Sequence, residues 1–211
     1  EGCSTIIQSF IFWKTATQEN RNALTVAHVA DGSNTLFNMS KLFYDCLPPT
    51  LRPMRRYSNR IEIVFENPNA ETRFVNPGLR SQLRISTAGD TDLGKTQMNH
   101  FLHLSEVAYW EHPKQAMASL LPTVPRLPDT AIFLETTAGD YGDWWFNTWQ
   151  ADDDYERIFI AWFELPEYSL PNYIKEAIFL PLIEGRYGNE VEEQKLYNLT
   201  DEQLSWRRYA I

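Results

Sequence analysis

The stretch "FLHLSEVAYW", residues 101–110, decides how the rest of the chain is interpreted. It is an apolar run that ends in a carboxylate, Glu106, directly after Ser105. A buried strand with an acid at its tip is the pattern of a Walker B element, in which the acid polarises the water that attacks a nucleotide phosphate. The same letters also fit an amphipathic strand or helix with an exposed glutamate. Other segments of the chain must decide between these two interpretations.

A second segment of similar character follows about thirty residues later. "IFLETTAGDYGDWWFNTW" (132–149) predicts a buried strand, then the pair Thr136 and Thr137, a glycine turn and an aromatic helix. On the residues alone, these two threonines are expected to make ordinary hydrogen bonds at the end of the strand.

The first residues, "EGCSTIIQSF" (1–10), carry the closing half of a phosphate-binding loop. Gly2, a variable residue, Ser4 and Thr5 lead directly into a helix, as the last residues of such a loop do. Serine and threonine are also common helix N-caps, so both roles are open here.

A complete phosphate-loop motif also occurs, letter for letter, in "GDTDLGKT" (89–96). Asp90 and Asp92 would then lie inside the loop that wraps the phosphates, where like charges repel. We therefore interpret the match as accidental and Lys95 as a loop residue with another role or with none.

Hydrophobic periodicity predicts strands that alternate with helices, which indicates an α/β sandwich around a mostly parallel sheet. The segment 99–107 fits either a strand or a helix. Helices are predicted at 4–18, at 34–47 and from residue 166 onward, and strands at 23–29, 60–66, 71–77, 81–87, 130–137 and 157–163.

Composition limits the function classes. The 211 residues carry a net charge of −9, which argues against a broadly basic surface for nucleic acid. Cys3 and Cys46 lack a C-x-x-C spacing and predict reduced thiols in a cytoplasm. His100 and His103 lack metal-ligand spacing and are expected to pack or to hydrogen-bond. With neither a long apolar run nor a basic leader, no membrane span or signal peptide is expected.

The order and spacing of these segments resemble the ATPase domain of the large terminase subunit of tailed bacteriophages and prophages, the motor that packages viral DNA. The resemblance implies an α/β, P-loop NTPase-like three-layer sandwich with a mostly parallel central sheet and a short helical C-terminal extension. The segments that carry it are "GCST" (2–5), "LHLSEVAYW" (102–110), "ETTAG" (135–139) and "LTDEQLSWRR" (199–208).

The resemblance implies a site for ATP and Mg²⁺ at the start of the chain. Gly2 would close the phosphate loop, Ser4 would bind Mg²⁺ and Thr5 would assist at the phosphate. Cys3 stands where some members of the family carry a lysine.

The resemblance also assigns catalytic and coupling roles. Glu106 would be the general base, and Ser105, in place of a magnesium-binding acid, would act on the metal through water or a hydrogen bond. Lys95 would reach the ATP of a neighbouring subunit. Thr136 and Thr137 match the family's coupling motif, which senses the γ-phosphate.

At the level of the whole protein, the resemblance implies that residues 1–165 are an ATPase domain that begins part-way through its phosphate loop. On that expectation these residues alone bind ATP weakly. Residues 166–211 would be a helical linker or lid that leads to a nuclease domain. The implied partners are double-stranded DNA, the terminase small subunit and the portal protein, in a ring homo-oligomer in the cytoplasm of the bacterial host, without a membrane. The alternative is a non-catalytic prophage remnant or structural domain with the same fold.

Overall fold

The computed structural model describes residues 2–90, 97–170, 184–185 and 188–210. They form two compact units, Glu1–Asp152 and Asp153–Ile211. The boundary at residue 165, which the sequence indicated, stays a prediction. In chain order the first unit contains α1 (Cys3–Thr17), β1 (Asn22–Ala27), α2 (Ala30–Cys46), β2 (Tyr57–Ser58), β3 (Glu62–Phe65), β4 (Ser81–Thr87), β5 (Phe101–Ser105), α3 (Pro113–Leu120), β6 (Ala131–Glu135) and α4 (Trp144–Gln150).

The first unit is built on a six-stranded sheet with the order β2-β3-β4-β1-β5-β6. Strands β4, β1, β5 and β6 run parallel, whereas β3 is antiparallel to β4, and β2 to β3. The segment 99–107, which the sequence left open, contains the buried strand β5. The predicted α/β fold with a mostly parallel sheet is therefore confirmed.

Helices cover both faces of this sheet and make it the middle of three layers. Because side chains alternate along a strand, the two faces receive different residues of β1 and β5. On one face Ala23 and Phe101 pack with α1 and α2. On the other face Leu24 and Leu102 pack with α3.

The predicted helices near the start of the chain are confirmed as α1 and α2. The aromatic helix is confirmed as α4, where Trp144 and Trp145 are partly buried against the core on the α3 side. Among the residues described, no helix is both long and apolar enough to cross a bilayer.

The strand predicted at 71–77 is wrong. Its apolar residues Phe74 and Val75 are 95% and 84% exposed, so no sheet face holds them. Asn67 organises a turn instead, because its amide donates to the Thr72 hydroxyl and to the Asn76 carbonyl oxygen. Side chain-to-backbone bonds of this kind compete with strand pairing.

The strand predicted at 157–163 is also wrong. Ile158 and Phe159 are 73% and 74% exposed, and a short 3₁₀ helix, Trp162–Glu164, follows them. An apolar run identifies a strand only where another strand pairs with it, and none among the described residues pairs with this one.

The second unit is helical at its end, as the sequence predicted. It contains a two-residue hairpin pair, β7 (Glu184–Gly185) and β8 (Gly188–Asn189), then α5 (Glu190–Tyr197) and α6 (Asp201–Ala210). Trp206 of α6 stacks on Trp162 with ring centroids 5.5 Å apart. The predicted helix between 171 and 183 lies outside the described residues.

Gly78 gives a test of the turn before β4. Its φ is +75°, and an added Cβ would lie 2.9 Å from the Asn67 backbone nitrogen. We expect Gly78→Ala to lower the free energy of unfolding by about 1–3 kcal/mol, because alanine must take a strained conformation against a fixed backbone. Chemical denaturation monitored by circular dichroism measures the change.

Gly32→Ala in α2 is the matched control. A Cβ at Gly32 would meet its nearest neighbour at 3.7 Å, an ordinary contact. This substitution should raise the free energy of unfolding by roughly 0.5–1 kcal/mol through helix propensity. Equal effects of the two substitutions would show that the turn at Gly78 is not constrained.

Candidate active site

The candidate site lies where β5 and β6 end. Ser105 is the last residue of β5 and Glu135 the last of β6, and the two are register partners in the parallel pair. Ser4, in the first turn of α1, donates a hydrogen bond of 2.7 Å from its hydroxyl to Glu135 Oε1. A helix N-terminus therefore meets the carboxyl ends of two parallel strands, which is where open α/β sheets bind ligands.

Gly2 opens this helix in the left-handed region, with φ at 95°. Its carbonyl oxygen accepts the Ile6 N–H at 3.0 Å, and no described side chain caps the helix. The first-turn N–H groups of Cys3 and Ser4 have no carbonyl partner inside a helix, and they carry the positive end of its dipole. Such a terminus suits an anion.

The neighbours of Ser4 point elsewhere. The Thr5 hydroxyl donates to the Met39 sulfur on α2, 3.8 Å away, and not toward Glu135. Cys3 is half-buried and its thiol is free. Of the predicted phosphate-loop residues, Ser4 contacts Glu135 through its hydroxyl and Gly2 begins the helix, and the roles of all four residues stay predictions.

Glu106 follows β5 in a conformation rare for residues other than glycine. Its φ is 57° and ψ is 42°, the left-handed region, and the side chain is half-buried. Thr136 Oγ1 lies 3.5 Å from Glu106 Oε2, the outer limit for a hydrogen bond, and accepts the Ala108 N–H at 3.3 Å. Backbone conformations of this kind cost about 1–3 kcal/mol and cluster at functional sites.

Both threonines of the predicted coupling pair connect β6 to the loop after β5. Besides its contact with Glu106, Thr136 donates to the Thr137 carbonyl oxygen at 2.9 Å. Thr137 Oγ1 and the Tyr109 hydroxyl are 2.8 Å apart. The structure thus brings Thr136 to Glu106 and Thr137 to Tyr109, and the coupling role of the two threonines stays a prediction. Lys95 lies outside the described residues.

Behind the site, a chain of buried polar side chains runs between α1 and the sheet. His103 Nε2 lies 3.0 Å from Glu135 Oε1, and the His103 Nδ1 lies 2.8 Å from Gln8 Nε2. The Gln8 amide also donates to the Thr25 hydroxyl at 2.8 Å and accepts from the Ser40 hydroxyl at 3.2 Å. Apart from Glu135, all of these residues are nearly or completely buried.

The donor and the acceptor of each hydrogen bond among these buried side chains can be assigned in turn. The Gln8 NH₂ group donates to Thr25 and to His103 Nδ1, so this ring nitrogen is an acceptor. The proton of a neutral imidazole then sits on Nε2 and is donated to Glu135. Each partner is satisfied, which is the condition for burying polar groups at low cost.

Glu135 is held as a carboxylate by these contacts. Burial alone would raise its pKa, but the hydrogen bond from His103 opposes it most strongly. The hydrogen bond from Ser4, the charge of His103 when it is protonated and the hydrogen bond from Ser105 act in the same direction. The pKa of Glu135 therefore lies below its ordinary value of 4.5.

The sequence predicted that His103 would either pack or hydrogen-bond, and the structure shows the hydrogen bonds. Sequence reasoning missed Gln8 and Glu135. A glutamine on the buried face of an apolar helix and a histidine inside an apolar strand both require partners. This need for hydrogen-bond partners was the sequence signal that could have identified the buried polar side chains. Which partners they find depends on how α1 lies on the sheet.

No group of three or more His, Cys, Asp or Glu side chains in the described part of the chain is arranged to hold a metal ion. Magnesium does not require one, because it keeps several waters and binds one or two carboxylates together with substrate phosphates. The Ser4 hydroxyl and the Glu135 carboxylate fit such a site.

The α/β fold of the first unit is similar to that of the ATPase domain of a phage large terminase subunit. The large terminase ATPase domain of Thermus phage P74-26 matches the structure with a TM-score of 0.50 and 14% sequence identity. The match covers 70% of this chain and 59% of that chain, so this chain spans less than two thirds of it. At this identity the similarity shows the fold, and the resemblance inferred from the sequence is confirmed at that level. No known family profile and no curated protein matches the sequence.

Gln8→Leu tests the buried polar chain. Leucine has a similar size and is more apolar, but it leaves the Thr25, Ser40 and His103 groups without their common partner. We expect the free energy of unfolding to fall by about 1–3 kcal/mol, the cost of unsatisfied buried groups.

The exposed Gln115 on α3 is the matched control for this substitution. Gln115→Leu should change the free energy of unfolding by no more than about 0.5 kcal/mol. A Gln8→Leu variant as stable as this control would contradict the assigned hydrogen bonds.

The lowered pKa of Glu135 predicts a pH dependence of stability. In the unfolded chain the carboxyl group titrates near its ordinary value, and in the folded chain below it. Its ionisation therefore stabilises the fold fully above pH 4.5, and this contribution is lost as the pH falls through the folded pKa.

Glu135→Gln removes that contribution. The unmodified protein should be more stable than this variant at neutral pH. The difference between their free energies of unfolding should become smaller below the ordinary carboxyl pKa. Denaturation at stepped pH values measures both curves. A gap of constant size would contradict the assignment of an ionised Glu135.

Proposed function

We propose that this chain belongs to the ATPase motor of a phage or prophage terminase, which hydrolyses ATP to package viral DNA. The observation that carries the proposal is Glu106. It stands in a left-handed conformation at the tip of a buried parallel strand, within reach of the Thr136 hydroxyl. The N-terminal turn of α1 and the Ser4 hydroxyl lie at the same edge of the sheet.

In this proposal Gly2, Cys3 and Ser4 bind the phosphates of ATP. The unpaired N–H groups of the first helical turn would donate hydrogen bonds to the phosphate oxygens. The left-handed conformation of Gly2 lets the backbone turn into the helix. The Ser4 hydroxyl would hold Mg²⁺. That ion, when bound, neutralises charge that develops on the phosphates.

Glu106 is the group that would align and deprotonate the attacking water. Its half-buried carboxylate projects from a loop whose ends are fixed, since Ser105 closes β5 and Val107–Tyr109 form a 3₁₀ turn. The Trp110 indole donates to the Ser105 carbonyl oxygen at 3.0 Å and further fixes the loop. A positioned base of this kind contributes typically 10²–10⁴-fold to a rate.

Thr136 and Thr137 would couple the state of the nucleotide to the rest of the domain. Thr136 contacts both the catalytic carboxylate and the loop backbone after β5. A change in the position of Glu106 when the γ-phosphate leaves would therefore alter its contact with Thr136 at the end of β6. Lys95 would serve a neighbouring subunit's ATP, where its charge stabilises the transition state.

At the level of the whole protein, we propose double-stranded DNA, the terminase small subunit and the portal protein as partners. The motor would be a ring homo-oligomer in the host cytoplasm. A net charge of −9 implies that DNA is held by parts of the motor other than a broadly basic surface of this chain.

A non-catalytic domain with this fold is the second candidate. Two observations favour it: Ser105 stands where a metal-binding acid is expected, and the Thr5 hydroxyl contacts Met39 instead of facing the site. This candidate predicts that the full-length protein binds no ATP.

Glu106→Gln in the full-length protein separates the two candidates. If Glu106 is the base, the variant should keep its nucleotide affinity and lose turnover by about two orders of magnitude or more. Calorimetric ATP titration and a phosphate-release assay measure the two quantities.

The exposed Glu111, five residues further along the chain, provides the control. Glu111→Gln should leave both quantities unchanged. Near-normal turnover of Glu106→Gln would show that Glu106 is not the base. Absence of ATP binding by the unmodified protein would favour the non-catalytic candidate.

A further inference from the structure

The carboxylate that contacts Ser4 lies at the end of β6, whereas the sequence pattern places a metal-binding acid at the end of β5. At the tip of β5, where the pattern calls for a metal-holding acid before Glu106, the residue is Ser105. Its register partner across the parallel pair is Glu135, the last residue of β6. Side chains of register partners leave the sheet on the same face, so Glu135 occupies the same level of the site.

The hydrogen bond between Ser4 and Glu135 determines what Ser4 can do. A serine hydroxyl has one proton and two lone pairs. Its proton is donated to Glu135 Oε1 at 2.7 Å, so the oxygen lone pairs are left for a cation. The adjacent carboxylate also makes that oxygen more negative.

We propose that Glu135 supplies the negative charge of the magnesium site and orients the Ser4 hydroxyl toward the metal, in place of an acid at the end of β5. This inference rests on the proposed ATPase function. It assigns to β6 a role in metal binding in addition to the coupling role of the two threonines that follow.

The surroundings of Glu135 fit this role. Its side chain is 17% exposed, so it is reachable from the sheet edge while most of it is enclosed. His103 holds the carboxylate from behind, and Gln8 holds His103 through its other ring nitrogen. Metal-binding groups are commonly oriented by a further layer of hydrogen bonds, and His103 is a positioning residue of that kind.

Glu106, the acid that follows β5, is engaged differently. Glu106 is turned by its left-handed backbone toward the Thr136 hydroxyl. The hydroxyl that enters the site from α1 donates to Glu135 and not to Glu106. The two carboxylates therefore have separate roles: Glu106 aligns the attacking water and Glu135 binds the magnesium ion.

The test is the gain in affinity that Mg²⁺ gives to nucleotide binding. Full-length protein is titrated calorimetrically with a non-hydrolysable ATP analogue, once with Mg²⁺ and once with EDTA. Glu135→Gln should reduce the magnesium-dependent gain by about tenfold or more and leave the affinity in EDTA nearly unchanged.

Ser105→Asp in the Glu135→Gln background should restore the gain, since it returns a carboxylate to the register partner. Ser105→Asn in the same background is the matched variant without charge, and it should not restore it. Comparison of these two double variants tests the proposal independently of the stability of the single variant. Asp129→Asn, at the opposite end of β6, should leave the gain unchanged.

The outcomes separate this inference from the function on which it rests. A full magnesium-dependent gain in Glu135→Gln, or equal gains in the two double variants, would overturn the role of Glu135 and leave the ATPase proposal intact. No binding of the analogue by the unmodified protein, in either buffer, would overturn the ATPase proposal itself.

Discussion

The structure of the first unit depends on one constraint: a glutamine, Gln8, is buried between α1 and the sheet. Its amide reaches Thr25 on β1, His103 on β5 and Ser40 on α2 at the same time. Apolar contacts tolerate small displacements, but a buried hydrogen bond loses its strength within a few tenths of an ångström. Rotation of α1 about its axis would break all three bonds together. The polar chain therefore fixes the rotation and height of α1 on the sheet, which packing alone would fix less sharply.

The same constraint determines the geometry of the candidate site. Because Gln8 holds α1, the first turn of that helix is held as well, and Ser4 meets Glu135 at the end of β6. His103 links Gln8 to Glu135, since one ring nitrogen faces Gln8 and the other faces Glu135. A site assembled from a helix terminus and two strand ends thus inherits its precision from the buried core behind it, as functional sites on rigid elements do.

Much of this fold could be predicted from the sequence, because buried strands and amphipathic helices have distinct periods. Strands β1, β3, β4 and β6 and helices α1 and α2 follow from those patterns, whereas the pattern at 99–107 left β5 open between a strand and a helix. The segments 71–77 and 157–163 failed because an apolar run specifies a strand only when a neighbour pairs with it. Glu106, Thr136 and Thr137 were assigned to one site only through the resemblance to the terminase family, and that assignment stays a prediction. Glu135 could not be found in this way, because its role depends on register and on contacts with α1.

Register also explains why a linear motif can misplace a functional group. A motif assigns the metal-holding acid to a position along β5, but the site requires only a carboxylate at a given level of the sheet and on a given face. Register partners on adjacent parallel strands share both properties, as Ser105 and Glu135 do. An acid can therefore be exchanged for its neighbour across the strand pair without a change in the fold. If Glu135 has the proposed role, the serine at position 105 is weak grounds for a lost function, because the proposed carboxylate lies thirty positions further along the chain.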